Sequence, residues 1–213
     1  MLIVTCCLLD NRTEDVLRKV RLEPTAEPFN AISSLETKNY NRPLNPMINA
    51  GAIAGLTLVD GDVPQQKFGR VLDFARAVSG NDALGINEAV YQSEKDSGSR
   101  NRALAYYMKS TGVIDGEIEL LLDAYFRICA IEMHCGDRAR PARVYGMNGF
   151  SIGRGESLFS KEVARTVTAV VALCGMYDES GTVAVSVGVP SKSGVGGGIL
   201  SVVPGKMGIG IFS

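Results

Sequence analysis

The run Lys192-Ser193-Gly194-Val195-Gly196-Gly197-Gly198 concentrates an amine, a hydroxyl and several residues without side chains. Glycines let successive backbone N–H groups converge on one ligand oxygen, which is how an oxyanion hole is built. Nucleotide binding does not fit these residues, because no GxGxxG leads into a helix and no GxxxxGK[ST] frame ends on this lysine and serine. Other polar groups occur singly. Asn49 sits in Asn45-Pro46-Met47-Ile48-Asn49-Ala50-Gly51-Ala52-Ile53, at the start of an apolar segment where an asparagine also serves as a helix cap. Glu94 and Asn101 flank Ser97-Gly98-Ser99, a break between helical patterns, where a solvated carboxylate and a cap are the ordinary readings. Tyr125 falls inside an apolar helix, where its hydroxyl needs a partner and core packing is the default. Tyr177 follows Cys174-Gly175-Met176 at a helix end, placed to reach a pocket.

His134 is the only histidine, so a Ser/His/Asp or Cys/His relay would have to pass through it. It closes an apolar helical pattern, where the helix dipole favours an imidazole, and a structural role is expected. Cys135 adjoins it with no second ligand pair at zinc-site spacing, so no metal and no cofactor is expected. The five cysteines (6, 7, 129, 135, 174) show neither CxxC spacing nor the density of a disulfide scaffold, and read as reduced packing residues. Basic and acidic residues number 22 and 23, interspersed to a net charge of −1, which leaves no field to gather a nucleic acid. No apolar run reaches the roughly 18–20 residues that span a bilayer, and Met1 to Leu9 lacks a basic leader and cleavage site. The expectation is a soluble cytoplasmic protein with no membrane contact. At 213 residues, 46% hydrophobic and 21% charged, the chain can bury one core as a single domain.

The elements that must position these groups follow from periodicity. Leu2 to Leu9 reads as a helix, and Pro24, Pro28, Pro43 and Pro46 make residues 23–51 a long loop. Phe68, Val71, Leu72, Ala75 and Val78 recur at helical spacing, with Gly80 as the stop. Helical patterns return from Ile86 to Glu94 and from Arg100 to Ser110. Asp115 caps a buried central helix, nearly all apolar from Ile118 to Met133. Gly146, Gly149, Gly153 and Gly155 mark a loop, after which Ser160 caps a helix to about Leu173. Thr182 to Val189, Ile199 to Val203 and Met207 to Phe212 read as three antiparallel strands, the last two joined by a Pro204-Gly205 turn. A helical cluster packed on a C-terminal antiparallel sheet is an α+β fold.

A lysine-small-glycine triplet beside a strand is a mark of serine hydrolases of the β-lactamase and penicillin-binding kind, which also need a Ser-x-x-Lys pair on one helical turn. No lysine here has a serine three residues before it.

Taken together, the motifs resemble the bacterial and kidney-type glutaminase family. The resemblance rests on Glu23-Pro24 with Pro28-Phe29-Asn30, the Asn45 to Ile53 block, Ser93-Glu94 with Arg100-Asn101, Ala105 to Ser110, Leu173 to Asp178, and Gly188 through Ile199. It implies a β-lactamase-like domain that hydrolyses L-glutamine to glutamate and ammonia through a serine acyl-enzyme, working as a homo-oligomer. The implied substrate-binding set is Asn49, Glu94, Asn101, Tyr125, Tyr177 and Val195. Val195 would give its backbone N–H to the oxyanion, and Tyr177 or Tyr125 would relay protons beside the lysine. A carboxylate suits the substrate ammonium, and amides with phenols suit its carboxylate and side-chain amide. By the same resemblance the catalytic lysine falls at about Met1, the serine before it, and about three of five sheet strands lie within 1–213, a single glutaminase domain incomplete at both ends. Residues 141–159 differ from the family's usual stretch. The alternatives are a non-catalytic glutamine-binding or partner-docking remnant, and a penicillin-interacting hydrolase, which the Glu94, Asn101 and Tyr125 blocks do not support.

Overall fold

Apolar side chains spaced three and four apart decide which face each helix buries, and the core is the meeting of those faces. The computed structural model describes residues 1–37 and 41–213. The helices are α1 (Leu2–Asp10), α2 (Thr13–Lys19), α3 (Ser33–Thr37), α4 (Asn49–Leu56), α5 (Pro64–Ser79), α6 (Glu88–Ser97), α7 (Ser99–Ser110), α8 (Ile118–Cys129), α9 (Cys135–Gly146), α10 (Lys161–Cys174) and α11 (Ser180–Ser186). The strands are β1 (Phe150–Ser151), β2 (Glu156–Ser157), β3 (Ser191–Ser193), β4 (Gly198–Val203) and β5 (Met207–Phe212). Ile53, Leu56, Val71, Leu104, Met108, Leu122 and Phe126 are essentially sealed from solvent where α4, α5, α7 and α8 meet. No helix among the described residues is long and apolar enough to cross a membrane.

β3, β4 and β5 form an antiparallel sheet in that order. Its register pairs Lys192 with Leu200 and Leu200 with Gly210, so these three residues share one face. Gly208 and Gly210 lie on that face, against α9. A Cβ on Gly208 would stand 2.1 Å from the Ala139 carbonyl oxygen, and one on Gly210 2.2 Å from that of Cys135. The helix backbone therefore rests directly on β5, a contact only glycine permits.

Several expectations change. Thr182 to Val189 is not a strand: most of it lies in α11, and the third strand is Ser191–Ser193. The helix stop was present in the sequence, since Gly188 adopts φ 73° and Pro190 follows, the usual glycine-then-proline exit from a helix. The central helix begins after Glu117 rather than Asp115 and ends at Cys129, not Met133. Beyond it the chain extends, Ile131 bridging Ile86 and the Glu132 N–H bonding the Gly85 carbonyl at 3.0 Å.

His134 thus opens a helix instead of closing one. Its Nδ1 accepts from the Asp137 N–H at 3.2 Å, while the Asp137 carboxylate accepts from the His134 N–H at 3.4 Å, a reciprocal cap on α9. α9 itself was not expected, and it keeps Pro141 in its interior. Within the supposed glycine loop, β1 and β2 pair as a short hairpin. The long loop of 23–51 contains α3 and the start of α4, and residues 38–40 of it lie outside the described residues. Cys6, Cys7 and Cys174 are buried packing residues, whereas Cys129 and Cys135 are exposed.

The break between α6 and α7 is a packing event. A Cβ on Gly98 would meet the Phe126 ring at 2.5 Å and the Glu94 carbonyl oxygen at 2.8 Å. Gly98→Ala is therefore expected to lower stability by about 1–3 kcal/mol through overpacking, read as a reduced urea midpoint with an unchanged m-value.

Candidate functional site

A cavity of about 510 Å³ opens between the helical cluster and the exposed side of the β3–β4 loop. Asn49, Glu94, Asn101, Tyr125, Tyr177 and Val195, the six residues singled out from the sequence, all line it. Each arrives on a different part of the fold. Asn49 is the first residue of α4, and its Nδ2 donates to Asn101 Oδ1 at 2.8 Å, joining α4 to α7. The Asn49 N–H donates to the Phe29 carbonyl at 2.9 Å, which fastens the proline-rich loop to the same corner. Glu94 is half-buried near the end of α6, and burial raises its carboxyl above the usual range. Tyr125 is 6% exposed on α8, one turn before Cys129, and burial pushes its hydroxyl well above the phenol range.

Tyr177 occupies the turn after α10 with φ 56°, a left-handed conformation uncommon for a residue with a side chain. Contacts on both sides hold it there. Its ring packs on Phe29 with centroids 5.2 Å apart, and its hydroxyl accepts from Lys192 Nζ at 2.9 Å while lying 3.4 Å from the Ser193 carbonyl. The same amine sits 4.1 Å from the Tyr177 ring centroid and also bonds the Ser193 carbonyl. Burial lowers Lys192 to about 7 and raises Tyr177 to about 12. At neutral pH the amine is therefore divided between charged and neutral forms, and the phenol is protonated.

The β3–β4 loop closes on itself through Gly194 N–H to Gly198 O at 2.8 Å and Gly197 N–H to Gly194 O at 3.0 Å. Among the described residues no acceptor binds the N–H of Val195 or Gly196, and Val195 is 74% exposed. The loop thus leaves two backbone amides unbonded beside the cavity. Lys192 was absent from the residues proposed to act, although its triplet was the strongest local signal in the sequence. Phe29 belonged to a recognised block without a role, and Arg138, which enters the cavity over Gly198, carried no signal at all.

The glutaminase family profile matches residues 1–213. The chain belongs to the glutaminase family. It is 55% identical over 205 residues to a glutaminase of Clostridium tetani, and 49% identical to glutaminase 2 of Clostridium perfringens. Each match covers 96% of this chain and 67% of the relative. The crystal structure of a Bacillus glutaminase in 4.3 M NaCl superposes with a TM-score of 0.96 at 36% identity, over 100% of this chain and 72% of the other. A probable glutaminase of Bacillus subtilis superposes at 0.95 with 35% identity, over 99% and 70%. These likenesses place the helical cluster and its antiparallel sheet within the glutaminase fold, and leave the penicillin-interacting reading without support.

The lysine makes stability depend on pH in a stated direction. A folded-state value of about 7 against 10.5 for the free side chain means that the unfolded chain binds more protons between those limits. The Lys192 contribution is thus unfavourable below about pH 7 and is relieved as pH rises toward 10.5. Subtracting the denaturation free energies of a Lys192→Met variant from those of the parent should give a difference that climbs across this window. A flat difference would show that the amine is solvated.

Proposed function

We propose that this cavity binds L-glutamine and carries the glutaminase reaction, cleavage of the side-chain amide to glutamate and ammonia through a serine acyl-enzyme. The observation that carries the reading is the grouping of Glu94, paired asparagines, two phenols and an unsatisfied amide loop around one hollow. Glu94 takes the α-ammonium, and a half-buried carboxylate gains from a cation that replaces its lost water. Asn49 and Asn101 orient each other and offer amide groups to the α-carboxylate. The Val195 N–H faces the oxygen of the γ-carbonyl as it gathers charge.

The two tyrosines divide by environment. Tyr125, deeply buried beside Cys129 and electrostatically coupled to Glu94, is a binding and packing residue. Tyr177 relays the proton, because Lys192 stands 2.9 Å from its hydroxyl with an amine that is partly neutral at pH 7. A neutral amine can take the phenolic proton as the phenol takes one from the nucleophile, and returns it to the departing ammonia. A cytoplasmic location agrees with five free thiols. Assembly with further copies agrees with the exposed Met207, Ile211 and Phe212 on β5, an apolar strand that solvates poorly alone.

Calorimetric titration of the 213-residue chain with glutamine should show one site, weakened about ten- to a hundredfold by Glu94→Gln through loss of a charge-assisted bond. Absence of binding, or an unchanged affinity in the variant, would refute the assignment. Residues 1–213 hold no Ser-x-x-Lys, so ammonia release by this chain alone is expected not to exceed that of Tyr177→Phe.

A further inference from the structure

α6 forms one wall of the cavity, yet among its ten residues only Tyr91 is buried. One apolar anchor is a weak hold on a helix that must aim Glu94, since helices of this length owe their stability to packing. What else fixes it is polar. The Asp123 carboxylate on α8 accepts from the Tyr91 hydroxyl and from Lys95 Nζ, the latter at 2.9 Å, through one oxygen. Its other oxygen accepts from Arg127 Nε at 2.9 Å. Arg127 also donates to the Tyr91 hydroxyl at 3.3 Å and lies 4.4 Å from its ring centroid, and Lys95 donates to that hydroxyl at 3.1 Å. Two residues of α6 and two of α8, each pair four apart, are thereby interlocked.

We propose that this interlock is a positioning device for substrate binding: Asp123, by holding Tyr91 and Lys95, sets the rotation of α6 that points Glu94 into the cavity. The inference rests on the glutamine reading of Glu94. Residues three and four apart are neighbours on a helix surface, so Glu94 stands beside Tyr91 and cannot turn independently of it. On α8 the geometry is complementary, because Asp123 faces α6 while Tyr125, two residues on and roughly opposite, faces the cavity. One carboxylate therefore ties together the helices that carry both groups.

The interlock is built for geometry more than for stability. The Asp123 side chain is 17% exposed, but Lys95 is 44% and Arg127 33% exposed, and such pairs contribute little net free energy. Burial alone would raise the Asp123 carboxyl, and the hydrogen bonds from Tyr91, Lys95 and Arg127 outweigh it and hold the group at about 2. The carboxylate therefore stays charged and fully bonded throughout the physiological range. The ends of α6 are tied separately, the Asn87 N–H to the Ala130 carbonyl at 2.8 Å and Arg102 to the Lys95 carbonyl at 2.9 Å. Loss of the interlock should loosen the middle of the helix without detaching it.

The test is a double-mutant cycle in glutamine affinity, measured by calorimetry on the 213-residue chain with Asp123→Asn, Glu94→Gln and the pair. Asp123→Asn should weaken binding about tenfold in the parent and less than twofold in the Glu94→Gln background, since a residue acting through Glu94 has nothing left to position. Tyr91→Phe, which keeps the ring and removes one bond to the carboxylate, should show the same pattern more weakly, and it carries the cycle if Asp123→Asn fails to fold. Equal losses in both backgrounds would reduce the interlock to general support and overturn the inference. So would an unchanged affinity in Asp123→Asn, with the glutamine reading still standing on the Glu94→Gln loss. An unaffected Glu94→Gln would remove that reading and the inference with it.

Discussion

The backbone of α9 lies directly on β5 at Gly208 and Gly210, and the relation of sheet to helices depends on that contact. With any side chain at either position the helix would stand off by the width of a methyl group or more, and the sheet would move with it. Strand register does the rest. Because Lys192 pairs with Leu200 and Leu200 with Gly210, the face that receives α9 is also the face that carries the lysine. The amine is thereby directed toward the helices, where Tyr177 meets it at 2.9 Å.

The cavity that results has two unlike walls. Helices supply a carboxylate, two amides and a buried phenol, while the sheet side supplies an amine and a loop of free N–H groups. Burial acts on both in opposite senses, raising the carboxyl of Glu94 and lowering the amine of Lys192, since each charged form loses water. A zwitterionic amino-acid amide, with its ammonium, carboxylate and polarisable carbonyl, is a ligand that would restore what both walls lost. The strained backbone of Tyr177 fits the same picture, a conformation tolerated because Phe29, Lys192 and the Ser193 carbonyl hold the ring and hydroxyl from several sides.

Several segments carry locally ambiguous signals. Thr182 to Val189 alternates β-branched and small residues, which satisfies a strand pattern, and the Gly188 and Pro190 exit that marks a helix end was outweighed by it. From Ile118 to Met133 the apolar residues keep a helical pattern past Cys129, with no glycine or proline to mark a stop there. The stop is made by pairing with the segment around Gly85 and Ile86, far away in the chain. α9 contains Gly136 and Pro141, which lower its helix propensity, and forms because His134 and Asp137 cap it and the glycine face of β5 receives it.

The sequence by itself determined the α+β class and the apolar faces of α5, α7, α8 and α10, which depend on residue type and near-neighbour spacing, and through its resemblance to the glutaminases it named the family and six residues to watch. Only the tertiary structure decided that the six share one cavity, that Lys192 belongs with Tyr177, and that Asp123 spans α6 and α8. These are contacts between side chains remote in sequence, set by strand register and by how closely two backbones can approach. No local pattern of hydrophobicity or turn residues encodes them.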